Sequence, residues 1–134
     1  MIGLDERVGR RFAKDKKGKT RRKVQQVLDG ERTMLPPTFF KADCEGKVSV
    51  DRLLTEDTVR SLTSIARRQD PKFCGWAVLS VEKLRENELK VVPSRTDDNP
   101  FHSDVLPPSQ GYDDKYTRSQ ILTGCIVDYQ GPVV

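Results

Sequence analysis

His102 is the sole histidine of this 134-residue chain, and it lies in Asp98-Asn99-Pro100-Phe101-His102-Ser103-Asp104. An imidazole titrates nearest neutrality of all side chains, so one flanked by carboxylates is the first place to look for acid–base chemistry. With Asp51, Asp104 or Arg95 as companions, His102 could serve a small nuclease-like or nucleotide-processing enzyme: a base or acid beside a cation that steadies a phosphate. Tyr112 or Tyr116 could complete such a set. No second histidine or placed nucleophile accompanies it. A hydrogen bond to Asp104 or to backbone at the start of a strand is the plainer expectation.

Other chemistries are weaker. Cys44, Cys74, His102 and Cys125 have the donor types of a tetrahedral zinc site, but the gaps between them are 30, 28 and 23 positions, and a ribbon or finger needs a close Cys pair. Cys74 and Cys125 adjoin apolar residues and read as small buried hydrophobes. Neither metal nor cofactor is expected. Glu88-Leu89-Lys90 with Asp70 upstream imitates the acidic pair and lysine of metal-dependent nucleases. Glu45-Gly46-Lys47 repeats the triplet, as chance allows in a chain that is 33% charged. Ala13-Lys14-Asp15-Lys16-Lys17-Gly18-Lys19-Thr20 fits a loose phosphate-loop pattern. That loop should follow a buried apolar strand, whereas Arg-Val-Gly-Arg-Arg-Phe precedes it here. The match is read as chance, with Lys19-Thr20 opening a helix.

Charge is unevenly distributed. Residues 1–32 hold eleven Lys/Arg and five Asp/Glu; the remaining residues hold thirteen and fifteen, so a basic segment joins a slightly acidic body. Arg10, Arg11, Lys14, Lys16, Lys17, Lys19, Arg21, Arg22 and Lys23 form the densest run, suited to phosphates of RNA or DNA and equally to a solvated surface. Phe12 is its single aromatic, so no base-stacking platform is visible.

Phe39-Phe40, Val48-Ser49-Val50-Asp51-Arg52, Gly75-Trp76-Ala77-Val78, Leu89-Lys90-Val91-Val92-Pro93 and Asn99-Pro100-Phe101-His102-Ser103-Asp104-Val105 come in an order that resembles a group of small uncharacterised bacterial proteins. These carry a Ser-Val-Asp segment followed by an Asn-x-x-His segment. The resemblance covers roughly residues 38–106. It implies a bacterial cytoplasmic domain with Ser49, Asp51, Asn99 and His102 as the matching polar positions, and no assigned activity. If strands 48–52 and 102–106 are neighbours, Asp51 or Ser49 could meet His102.

The elements that must position these residues follow from periodicity. Thr20–Leu28 is predicted helical, with Thr20 as cap and Gly30 as stop, and a weaker helix is predicted over 4–14. Met34-Leu35-Pro36-Pro37 is extended, and Phe39 and Phe40 are core anchors. Val48–Arg52 alternates as a half-buried strand. Glu56–Arg68 is the clearest helix: Thr55 caps it, acids open it and Arg67 and Arg68 close it. Phe73–Val81 reads as a central strand, Glu82–Asn87 as a helical turn, and Leu89–Val92 and His102–Leu106 as strands. Lys115–Leu122 reads as a helix and Cys125–Val127 as an edge strand. Strands and helices mix without a βαβ repeat. The expected class is therefore α+β: a small mixed or antiparallel sheet with two to four helices. The expected organisation is a basic, partly helical arm over 1–32 and one compact domain over 33–134. There is no apolar run long enough to span a bilayer and no N-terminal apolar signal segment, so a cytoplasmic protein is expected. With no complete catalytic set, the favoured function is a non-catalytic interaction module. Its body would bind a partner protein and its arm would contact nucleic acid or an acidic surface; the enzyme centred on His102 is the alternative.

Overall fold

Six strands form one antiparallel sheet: β1 (Arg7–Ala13), β2 (Val48–Arg52), β3 (Phe73–Ser80), β4 (Lys90–Pro93), β5 (His102–Leu106) and β6 (Ile126–Gln130), in the order β4-β5-β2-β1-β3-β6. Among the described residues four α-helices accompany them: α1 (Lys19–Leu28), α2 (Glu56–Gln69), α3 (Val81–Glu86) and α4 (Lys115–Thr123). The computed structural model describes residues 2–43, 45–107 and 114–132. The class is α+β with an antiparallel sheet, and among the described residues no helix is long and apolar enough to cross a membrane.

The alternation of each strand divides the side chains between two faces. On one face Val8, Phe12, Val48, Val50, Leu79 and Val105 join the main core, closed by Val24 of α1, Leu84 of α3, Leu122 of α4 and Phe40 of the 3-10 turn Pro37–Phe40. On the other face Val59, Leu62 and Ala66 of α2 pack on Phe73 and Trp76, with Leu53 and Phe101 beside them. Full burial of Leu62 and near-full burial of Val59 contribute about 1.5–3 kcal/mol each. The α2 ends match their residues to the helix dipole. Thr55 and Thr58 form a reciprocal capping box beside Glu56 and Asp57, and Arg67 and Arg68 occupy the last turn.

The chain departs from expectation at its start. Residues 4–14 are not helical: β1 lies mid-sheet, paired with β2 and along its whole length with β3. Val8 and Phe12 are buried with period two, and hydrogen bonds to both neighbours outweigh the weak helical pattern. Residues 7–13, expected in a separate arm, are therefore integral to the body. Two of their three charges are met by distant carboxylates, Arg7 by Asp128 and Arg11 by Asp51. Gly9 permits this packing, because a Cβ there would sit 2.6 Å from the Trp76 indole.

The start of α1 differs too. Gly18 occupies the cap position in the left-handed conformation, and Thr20 is not the cap. Asp15 instead accepts from the Thr20 N–H and Oγ1–H (3.1 and 2.8 Å), and these bonds hold its carboxyl below the usual aspartate range. A strand does precede the Ala13–Thr20 segment and a helix follows it. The Thr20 N–H and hydroxyl at that helix start are engaged by the Asp15 carboxylate, where a phosphate loop would present them to its ligand.

Candidate functional site

The site begins with a mismatch between β1 and β2. Their ladder comprises Val8↔Arg52 and Gly9↔Asp51. Beyond that point the strands separate, and arginines fill the gap. Arg10 Nη1 donates to the Ser49 carbonyl (2.8 Å) where a strand amide would otherwise do so, and Arg10 Nε donates to the Phe39 carbonyl (3.0 Å). Burial lowers the Arg10 pKa from its ordinary value; the Asp51 charge opposes this and the Arg11 charge adds to it.

Asp51 is the centre of the arrangement and is 2% exposed. Its Oδ2 accepts from Arg11 Nε (2.6 Å) and Trp76 Nε1 (3.1 Å), and its Oδ1 from Asn99 Nδ2 (2.9 Å) and, at greater length, Arg11 Nη2 (3.3 Å). Buried carboxylates persist when paired and fully hydrogen-bonded, which this one is. Arg11 Nη1 reaches on to Gln69 Oε1 at the end of α2 (2.6 Å). Asn99 in turn organises the loop before β5: its Oδ1 accepts the Phe101 N–H, and its own N–H donates to Thr96 Oγ1. One carboxylate thus ties together β1, β2, β3 and the 94–101 loop.

His102 stands opposite Asp51 in the β2–β5 register. Its Nδ1 lies 2.6 Å from Ser94 Oγ and 3.1 Å from the Ser94 carbonyl, which fix the ring while Nε2 makes no hydrogen bond among the described residues. Asp104 is not its partner. Around these groups is a cleft of about 450 Å³, walled by Arg10, Arg11, Ser49, Val50, Asp51, Gln69, Thr96, Asn99 and His102. That volume suits a group the size of a nucleotide or smaller.

The structure therefore brings Ser49, Asp51, Asn99 and His102 together, with Arg10 and Arg11 from the basic run. Two expected companions are elsewhere. Arg95 is exposed and outside the cleft wall; Asp104 is half-buried, also outside it, with its backbone in register with Ser49 and Val92. Tyr116 is exposed on α4, and Tyr112 lies outside the described residues. Sequence reasoning missed Trp76, Gln69, Thr96 and Ser94. They come from α2, β3 and a loop, and no local spacing links them to residue 51 or 102. Alternation with Val48 and Val50 places Asp51 on the opposite face of β2, so the local pattern does not mark it as buried; its burial comes from Trp76 and Asn99, which reach it from β3 and the 94–101 loop.

The rest of the basic run lies outside the cleft wall. Lys14 and Lys17 are exposed between β1 and α1, and Lys19 begins α1; of Lys16 only the backbone is described. Arg21 lies 5.0 Å above the Tyr129 ring, Arg22 is exposed and Lys23 half-buried. The nuclease-like set is not assembled: Asp70 precedes β3, Glu88 and Lys90 flank the start of β4, and β5, β2 and β1 separate the two strands. Cys74 and Cys125 are free thiols, and Cys44 lies outside the described residues. Burial raises both thiol pKa values, that of Cys125 to about 11. Among the described residues no group of three or more His, Cys, Asp or Glu could hold a metal ion. No protein-family model, curated protein or solved structure matches the chain.

Proposed function

We propose that the protein is a non-catalytic interaction module that holds an anionic group of its partner in the cleft between β1 and β2. Arg10 is the observation that carries this reading. It is a half-buried cation in the cleft wall whose hydrogen bonds go to carbonyls, and among the described residues it forms no ion pair. The one carboxylate in the wall, Asp51, is engaged by Arg11, Trp76 and Asn99. Two guanidiniums against one carboxylate leave the cleft with surplus positive charge. A phosphate or carboxylate would relieve the burial cost of Arg10 and find a planar fork of donors. Inorganic phosphate is the simplest probe. A ligand that binds the folded state at ten times its Kd stabilises it by about 1.4 kcal/mol, so phosphate raises the melting temperature of the parent, and Arg10→Gln abolishes that rise. An equal rise in both proteins refutes the reading.

A second reading rests on His102. Its ring is fixed by Ser94 through Nδ1 and lines the same cleft, as a general base for phosphate-ester chemistry would be placed. Nucleotide turnover that His102→Ala eliminates favours the enzyme; turnover unaffected by that change, or none in the parent, removes it.

A further inference from the structure

The cleft does not end at its rim. Gln69, in its wall, is the last residue of α2, directly after the exposed Arg67 and Arg68. The chain then turns through Asp70 and Pro71 to Lys72, whose carbonyl accepts the Lys14 N–H (2.7 Å). Lys14 leads through Asp15, bonded to Thr20, to the exposed Lys17 and Lys19 at the start of α1. The exposed cations of α2, of the turn before β3 and of the β1–α1 loop therefore share the end of the sheet beside the cleft. Among the described residues Arg67, Arg68, Lys72, Lys14, Lys17 and Lys19 form no ion pair with a carboxylate. Sequence places Arg67, Arg68 and Lys72 far from the basic N-terminal run; the fold unites them with it.

We infer that the partner is a single-stranded nucleic acid whose phosphate backbone runs from the cleft across this end of the molecule. The inference rests on the anion-binding reading of the cleft and extends it to a class of ligand. Six exposed cations without ion pairs, on several elements at one end of the sheet and set against only Asp15 and Asp70 along that path, match a backbone that carries a charge at every unit. A protein partner would instead be expected to find a central apolar cluster. The cleft wall contains one aliphatic side chain, Val50; of the exposed large hydrophobics among the described residues, Leu4 and Leu54 lie at the opposite ends of β1 and α2, and Tyr116 lies on α4 outside the wall. A duplex cannot lower a nucleotide into a cleft of this size without unpairing it, whereas a single strand can. With no exposed aromatic ring along the track among the described residues, binding would be insensitive to base sequence.

The test is fluorescence anisotropy with a short labelled oligothymidylate, its duplex with oligoadenylate and a polyglutamate of equal charge, measured over a range of salt. The single strand is expected to bind best, and its log affinity to fall with log salt at a slope of about −3, which corresponds to four or five phosphate contacts. The variant Arg67→Ala/Arg68→Ala/Lys72→Ala, altered only at exposed positions, should lower that slope by about two units. It should also remain folded, with a melting temperature lowered by only a few degrees through the lost interaction of Arg67 and Arg68 with the α2 dipole, and keep its stabilisation by inorganic phosphate. An unchanged slope in this variant overturns the inference, as does tighter binding of the duplex or of polyglutamate. Phosphate stabilisation without oligonucleotide binding overturns the nucleic-acid inference and leaves the cleft reading intact; the absence of both defeats both.

Discussion

Replacing Asp51 with asparagine tests whether this carboxylate organises the site. The change preserves shape, but each carboxylate oxygen faces two donors: Oδ1 meets Asn99 Nδ2 and Arg11 Nη2, and Oδ2 meets Arg11 Nε and Trp76 Nε1. Whichever way the amide points, its NH2 opposes donors. Breaking a buried ion pair by removing one partner costs about 3–5 kcal/mol. Arg11 is 26% exposed and retains some water, which favours the lower end. A buried donor left without an acceptor, on Trp76 or Asn99, adds about 1–3 kcal/mol. The total is about 4–5 kcal/mol, much of the stability of an ordinary domain. For a chain of this size it corresponds to a fall of about 15 °C in melting temperature. Urea unfolding followed by circular dichroism measures the free energy, and Trp76, the single tryptophan, reports the local change by fluorescence. Arg11→Gln and the double variant complete a cycle in which coupling of about 2 kcal/mol or more is expected. A loss below about 1.5 kcal/mol for Asp51→Asn, or additive single losses, refutes the central role assigned to the carboxylate.

Three further expectations are independent of the ligand. Gly9→Ala places a Cβ 2.6 Å from the Trp76 indole and should cost about 2–4 kcal/mol by displacing the ring; an unchanged tryptophan emission spectrum and stability contradict this. Asp15, Asp43 and Asp114 have folded pKa values held below the ordinary 3.8, by hydrogen bonds from Thr20, Lys47 and Thr117 respectively. Their stabilisation is complete above the unfolded pKa near 4 and is lost as pH falls through the depressed folded values. Substituting all three by Asn should flatten the acid limb of a stability–pH curve, and an unaltered limb rejects the assignment. Burial pushes the Cys125 thiol up to about 11, so in the folded protein at pH 8 a thiol reagent should modify the half-buried Cys74 well before Cys125; equal rates refute the burial argument.

What could be read from sequence was local. The α2 boundaries follow from Thr55, from Glu56 and Asp57, and from Arg67 and Arg68, all acting within one turn of the helix ends. β2, β3 and β5 follow from short-range alternation or apolar runs bounded by turn residues. β1 was hidden because what makes it a strand lies elsewhere: its pairing partners are β2 and β3, and its arginines look solvent-bound until Asp51 and the Ser49 carbonyl are placed beside them. Asp15 was passed over as the partner of Thr20 because a cap is sought immediately before the helix, and here the carboxylate reaches over a 3-10 turn. The polar positions around His102 were named, but their common link, Trp76 and Arg11 on Asp51, depends on strand order, and residue spacing does not encode strand order.

The two arginines of the cleft answer different questions, and this decides how the site should be dissected. Arg11 neutralises a buried carboxylate, so its loss strands a charge and disturbs the fold. Arg10 donates to the carbonyls of Phe39 and Ser49, which are neutral. Its replacement by Gln forfeits hydrogen bonds from a charged donor but leaves no ion unpaired, and it removes a cation that burial already disfavours. The expected cost is about 1–2 kcal/mol, well below that of Asp51→Asn, while the surplus positive charge of the cleft disappears. Arg10→Gln should therefore remain folded and lose anion binding, whereas Arg11→Gln should lose stability first. If chemical denaturation shows Arg10→Gln to be as damaging as Arg11→Gln, Arg10 is a structural wedge between two separated strands, and the cleft it lines owes its charge to folding rather than to a ligand.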